Sequence, residues 1–296
     1  MSKGLLDPKV DFVFKNIFGS PNHPEILISF LNATLKAKKK IVNVDIKKTD
    51  IEKQYIEDKY SRLDVKATTS NDEIINIEIQ LKNENNMVKR SLYYLSKMYE
   101  EQLNEKEDYS KLVRTVCINI LNFKYLKTDN FHTGYRFKEI ESNEELTDIM
   151  EVHFIEIPKL QDSSDEKDML VAWTEFLKDP ESEKVRGLEL SIEEIRQAKD
   201  ELIRMSNDST QRELYDMRAN SLRDKMSELN AVERKGIEKG REEGREEGRK
   251  EGRKEGIEEG RKEEKIKIAR NMKLSGLDTN TIAKITNLSE DEIDKL

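Results

Sequence analysis

Two strand-like runs carry the residues whose types and spacing could do chemistry. Ser61-Arg62-Leu63-Asp64-Val65-Lys66-Ala67 sets Asp64 between leucine and valine, and Glu73-Ile74-Ile75-Asn76-Ile77-Glu78-Ile79-Gln80-Leu81 sets Glu78 between two isoleucines. Each carboxylate therefore departs from an apolar setting. Side chains alternate faces along a strand, so Glu78 and Gln80 share one. The polar stretch Thr69-Ser70-Asn71-Asp72 between the runs reads as a turn. Centred near Asn71, it places Asp64 and Glu78 opposite each other in a symmetric hairpin. Two converging carboxylates repel unless a cation lies between them. Oxygen donors that leave coordination incomplete suit Mg2+ or Mn2+, which keep waters that can become nucleophiles. The same pattern also fits an amphipathic hairpin whose carboxylates face solvent, and spacing alone leaves both readings open.

The surrounding pattern supplies elements to hold such a hairpin. Asp7-Pro8 is a good helix start, with Val10, Phe14, Ile17 and Phe18 following at helical spacing, and Ile26, Leu27, Phe30 and Leu31 mark a second short helix. Ile41 to Ile46 alternates like a strand. Asn86 to Leu103 is helical, with Leu92, Leu95, Tyr99 and Leu103 on one side, and Leu112 to Phe123 is β-branched and strand-like. Weaker strand patterns follow at 134–137 and 152–157. The span 161–230 is helical, with Met169, Leu170, Trp173, Phe176 and Leu177 at core spacing. Trp173 reads as core.

Composition excludes several classes. The 296 residues include 61 acidic and 53 basic ones; 39% are charged and 35% hydrophobic, more charge and less apolar content than soluble proteins usually carry. From Ala231 to Ile268 there are 13 basic and 12 acidic residues, so much of the excess is local. No run approaches the ~20 apolar residues of a membrane span, and the N-terminus lacks the apolar stretch of a signal peptide, so a cytoplasmic protein is expected. One cysteine, Cys117, forbids an intrachain disulfide, and it reads as a buried strand residue. Three histidines without metal spacing argue against zinc. A net charge of −8 argues against coating nucleic acid by bulk electrostatics; an enzyme that reaches phosphate through a bound cation remains compatible with it.

Several blocks in order carry a resemblance: Asp11-Phe12-Val13-Phe14-Lys15-Asn16-Ile17-Phe18-Gly19, Leu31-Asn32, Arg62-Leu63-Asp64-Val65, Ile77-Glu78-Ile79-Gln80 and Arg90-Ser91-Leu92-Tyr93-Tyr94. Together they resemble the recombination-promoting nuclease and transposase family of the PD-(D/E)XK nuclease superfamily, over about residues 4 to 125 and more loosely beyond. The resemblance implies an α/β (α+β) fold: a restriction-endonuclease-like core with a mixed sheet, further helices and a long charged C-terminal helix. It implies a Mg2+-dependent DNA endonuclease, Mn2+ serving as alternative, with Asp64, Glu78 and the main-chain carbonyl of Ile79 as metal ligands. Gln80 stands where the superfamily has lysine; it can orient water but carries no charge. Asp11 and Lys15, one helical turn apart, belong to the same set, Lys15 either supplying a cation or serving helix packing or a surface ion pair. Arg90 is the candidate for the DNA backbone, an exposed charge being the alternative. A catalytically weak, oligomerising interaction module is the competing function.

These readings divide the chain into a nuclease-like domain (1–160), a helical region (161–230), a stalk (231–265) and a small helix-turn-helix-like element (266–296). In the stalk, glycines recur every four residues from Gly236 to Gly260, drifting ~40° per repeat around a helix. Each costs about 1 kcal/mol against alanine, while an i,i+4 ion pair returns only ~0.2–0.5, so a marginal, partly helical spacer is expected, or else a seam where two helices approach. The terminal element is expected to join chains into a homo-oligomer rather than to read DNA.

Overall fold

The computed structural model describes residues 4–37, 39–47, 65–165 and 167–296. It comprises two compact units, Met1–Arg223 and Asp224–Leu296.

The first unit is built on a six-stranded mixed sheet: β1 (Val44–Lys47), β2 (Val65–Thr69), β3 (Ile74–Gln80), β4 (Thr115–Leu121), β5 (His132–Lys138) and β6 (Glu145–Glu156), in spatial order β1-β2-β3-β4-β6-β5. The outer pairs β1/β2, β2/β3 and β5/β6 are antiparallel, whereas β3, β4 and β6 run parallel. A parallel neighbour requires a crossover, which α3 (Met87–Glu100) provides between β3 and β4.

The β2–β3 hairpin has the expected register. Val65 lies opposite Ile77 and Thr68 opposite Ile74, a pairing centred on Asn71. The turn is closed by Asp72 N donating to Thr69 O at 3.0 Å, with Asp72 at φ +60°, where an aspartate is tolerated better than most residues. Strand β6 is longer than its apolar end at 152–157, because its first half pairs with β5 beyond the core.

Alternation sends the two sheet faces to different partners. Ile75, Ile77, Ile79, Val116, Ile118, Ile120 and Ile155 join the main core, together with α1 (Asp11–Phe18), α2 (Pro24–Leu35), α4 (Met169–Lys178), α5 (Glu183–Glu189) and α6 (Glu193–Asn207). Trp173 is wholly buried there, edge-on to Phe18, Phe30 and Phe176 with ring centroids 5.3, 6.5 and 6.0 Å away. Trp173 is therefore core. The opposite face packs Met87 and Leu95 of α3 on Cys117, Leu121, Val152 and Phe154.

Helix α7 (Ser209–Leu274) runs through the glycine repeat without interruption; it is the long charged C-terminal helix that the resemblance implies, and more regular than glycine propensity alone suggests. Nothing approaches within 4 Å of a Cβ placed on any of the seven glycines, so no tertiary contact supports them. Ion pairs one turn apart, Lys239 to Glu243 at 3.7 Å and Lys250 to Glu246 at 3.8 Å, are the local compensation, each worth a few tenths of a kcal/mol.

Within the second unit α7 ends at a glycine, as its sequence indicates. Gly276 takes φ +84°; Leu277 N donates to Met272 O and Gly276 N to Lys273 O, the paired bonds of a Schellman stop. Helices α8 (Thr279–Thr286) and α9 (Glu290–Asp294) follow. Ala269, Ile282, Leu288 and Ile293 form their small core.

Candidate active site

Glu78 lies in the middle of β3, near the centre of the sheet, with no exposed surface. The solvent-facing reading of this carboxylate therefore does not hold: its side of the strand is covered by α3. Even-numbered residues of β3 and odd-numbered residues of β4 share that side, and in the parallel register Glu78 is paired with Asn119, and Asn76 with Cys117. Asn76 and Asn119 are also fully buried. A polar row thus runs beneath α3 through an otherwise apolar sheet.

The row is anchored to the helix. Ser91 Oγ donates to Met87 O at 2.7 Å and lies 2.9 Å from Asn119 Oδ1, and Asn119 Nδ2 donates to the His153 carbonyl at 3.1 Å. Asn76 Nδ2 lies 3.5 Å from Glu78 Oε1. From the first turn of α3, Arg90 brings Nε to 3.3 Å from Glu78 Oε2, its guanidinium 5.4 Å from the centre of the Tyr94 ring. An ionised carboxylate removed from water needs such a counter-charge. Burial, followed by the charge on Glu78, pushes the Cys117 thiol up, which leaves it an inert core residue.

Gln80 ends the strand, half-buried. Its carbonyl accepts from Asn122 N at 2.9 Å on the β4 side. Carbonyls alternate along a strand, so that of Ile79 is directed toward β2. Asp64 lies outside the described residues; Val65, next in the chain, pairs with Ile77. Asp11 is engaged elsewhere: Oδ2 accepts from Arg218 Nη1 of α7 at 2.9 Å, and Arg218 also lies over the Phe12 ring. Lys15, one turn on, is half-buried. Arg90 is mostly covered and paired with Glu78, so it is not a free surface charge.

Sequence reasoning passed over Asn76, Asn119 and Ser91. The first had a signal, since Asn76, Glu78 and Gln80 interrupt the isoleucines of β3 at period two. Asn119 breaks the run Val116-Cys117-Ile118 in the same way.

A second charged cluster occupies the other face of the sheet. Glu151 accepts from His153 Nε2 at 2.6 Å, from Arg136 Nε at 2.9 Å and from Arg114; Arg114 also binds Glu73. The other ring nitrogen of His153, Nδ1, lies 2.9 Å from His132 Nε2, so the contacts continue from Glu151 through both rings. Burial opposes ionisation of Glu151, but the bonds from His153, Arg114 and Arg136 outweigh it and hold the carboxyl down at about 2. Burial, then the neighbouring His153, lowers His132 to about 4. Gly134 admits His153, since a Cβ there would meet His153 Cε1 at 3.1 Å.

Among the described residues no three His, Cys, Asp or Glu side chains converge as a ready-made metal cluster. The donors on the α3 face are nevertheless of the right type for a hard divalent ion: a buried carboxylate, with a main-chain carbonyl one residue away.

Residues 8–232 match the family described as PD-(D/E)XK nuclease family transposase. Residues 262–296 match the C-terminal HTH domain of the Rpn/YhgA-like nuclease family. No curated protein and no solved structure gives a significant match. The mixed sheet, the buried Glu78-x-Gln80 strand and a match over more than half of its length agree, and the chain belongs to the PD-(D/E)XK nuclease family transposases.

Proposed function

We propose that the chain is a DNA endonuclease that hydrolyses phosphodiester bonds with Mg2+, Mn2+ being an alternative. The observation that most supports this is Glu78, a fully buried carboxylate in the central strand with a guanidinium beside it, two residues before Gln80. Asp64, Glu78 and the carbonyl of Ile79 are the proposed ligands. When bound, the ion lowers the pKa of a coordinated water and offsets phosphate charge. The rest falls to the chain's own groups. Strand β3 holds Glu78 rigidly, because Ile77 and Ile79 on its other face are locked in the core. Gln80, at the strand's end, orients a water through its amide without supplying charge. Asp11, paired with Arg218, serves helix packing, and Lys15 is the remaining cation of that block that could reach a phosphate.

The test is a supercoiled-plasmid assay on the full chain. Mg2+ should support nicking, EDTA should abolish it, and Asp64→Ala or Glu78→Gln should remove it. Nicking that survives both chelation and substitution would overturn the proposal. No helix among the described residues is long and apolar enough to cross a membrane, and a cytoplasmic location is part of this reading.

A specific observation favours self-association over DNA reading at the C-terminus. Helix α9 exposes Glu290, Asp291, Glu292 and Asp294, a charge that the phosphate backbone would repel. Removal of residues 232–296 should convert a homo-oligomer to smaller species in sedimentation, and specific DNA binding by this element would contradict it.

A further inference from the structure

The six-stranded sheet ends on β5, and two main-chain bonds fix which residues of that strand face its outer edge. Glu156 N donates to Phe131 O at 2.7 Å just before β5, and Glu139 N donates to Glu144 O at 2.8 Å just after it. In an antiparallel pair the main-chain groups turn toward the neighbour and away from it at alternate residues, so the odd-numbered positions bond β6 throughout. The N–H and C=O groups of His132, Gly134, Arg136 and Lys138 point outward, and among the described residues nothing bonds them from that side. The irregular pairing does not interrupt this edge. From Tyr135 to Phe137 the partners on β6 move from Val152 to Thr147, and from Phe137 to Lys138 they move from Thr147 to Glu145. The extra residues therefore bulge from β6, and β5 stays continuous over seven residues. Nor is it blunted as edges usually are: it has no proline, its one lysine stands at its end, and Arg136 is turned back onto Glu145 and Glu151. Tyr135 and Phe137 are left 48% and 52% exposed.

We propose that β5 is a dimerisation strand, pairing antiparallel with β5 of a second copy about a two-fold axis at Tyr135, so that the two six-stranded sheets become one. A second copy fits because the strand is complementary to itself. About Tyr135, His132 comes opposite Lys138 and Gly134 opposite Arg136, each twice by symmetry. All four outward residues of one copy then bond all four of the other, every pair exchanging two bonds. Moving the axis to Gly134 would leave Lys138 beyond the partner strand, and moving it to Arg136 would oppose two arginines. The side chains agree with the Tyr135 axis. On the face of Glu151, Arg136 meets a residue without a Cβ, and Lys138 meets a histidine that burial keeps neutral, so no like charges are directly opposed. On the other face Phe137 meets Thr133, a favourable aromatic and β-branched pair, and the two Tyr135 rings meet across the axis. The exposed aromatics are thereby covered. This contact adds to the association proposed for residues 232–296 and does not depend on it.

The test uses the full chain. Tyr135→Cys sets two thiols on the axis, where the Cα atoms of a non-hydrogen-bonded antiparallel pair lie about 4.5 Å apart, within disulfide range. The native thiol, Cys117, is buried and does not compete. Mild oxidation of Tyr135→Cys should give a covalent dimer on a denaturing gel, while Phe137→Cys, which comes opposite Thr133 and not its own copy, should give about tenfold less. A second variant reads the assembly without a thiol. Lys138→Pro removes an outward N–H, a change that an edge strand tolerates within one copy, and it should lower the mass of the unaltered protein about twofold in sedimentation. Combined with Tyr135→Cys it should abolish the cross-link. A monomeric unaltered protein, equal cross-linking at both positions, or an unchanged mass in a folded Lys138→Pro protein overturns the proposal, the last result assigning assembly to the C-terminal region alone.

Discussion

The two faces of the sheet each bury a glutamate among polar side chains, and they hold it differently. On the back face, Glu151 is enclosed by His153 at 2.6 Å, Arg136 at 2.9 Å and Arg114, with His132 continuing the chain of bonds. Beneath α3, Glu78 meets Arg90 at 3.3 Å and Asn76 at 3.5 Å. A carboxylate wrapped in short charge-assisted bonds is committed to structure, because displacing any one partner strands a buried charge. Longer contacts, such as those of Glu78 to Arg90 and Asn76, hold a carboxylate less firmly than these. Burial and charge alone would have marked both sites as functional; the short bonds to Glu151 set the two apart.

The largest effect that tests this contrast is on activity. Glu78→Gln should reduce plasmid nicking by about 10³-fold or more, while its thermal midpoint stays at or above that of the unaltered protein. A lower midpoint would mean that Glu78 is structural after all. Glu151→Gln should do the reverse, costing about 3–5 kcal/mol in urea unfolding by breaking a buried network, with nicking per folded molecule retained at low temperature. If Glu151→Gln stops nicking without destabilising the fold, the division between the faces fails.

Acid titration probes the back face next. His132 titrates near 4 when folded and near 6.5 when unfolded. Between those values the unfolded chain binds the extra proton, so stability falls as pH drops from 6.5 to 4, by about 3 kcal/mol in all. Glu151, lowered to about 2, adds a further loss as pH falls below its ordinary range. Urea unfolding at pH 7, 6, 5 and 4 should trace the first limb, and His132→Gln should flatten it. An unchanged limb would show that His132 is not buried neutral. The smallest effect concerns the fit of the pair. Gly134→Ala drives a methyl to 3.1 Å from a His153 ring that its two hydrogen bonds pin in place, and should cost about 1 kcal/mol. A stability gain would show that the ring has room to move.

Much of the α3 face was legible in the chain. The turn centred near Asn71 sets the β2–β3 register, and period-two interruption of an isoleucine run singles out Asn76, Glu78 and Gln80. The back face was not legible. Glu151 and His153 share a face of β6 at period two, but His132 comes from β5, whose pairing with β6 includes a register shift between Tyr135 and Phe137, and no local spacing encodes that meeting. The long charged helix implied by the resemblance is α7; glycine propensity by itself leaves its continuity open, since it weighs each glycine against nearby charges and both sums are small.

Alternation and turn chemistry are local, one set by the geometry of a strand and the other by a few backbone angles, so the chain alone decided which residues share a face with Glu78. Whether that face meets water or a helix is a long-range matter. It was settled only when α3 crossed from β3 to β4 and laid Arg90 and Ser91 over the row. The same crossover turned Arg90 from a candidate surface contact into the partner of Glu78, because an ion pair depends on where two elements meet, and the residues between them in sequence do not specify that meeting.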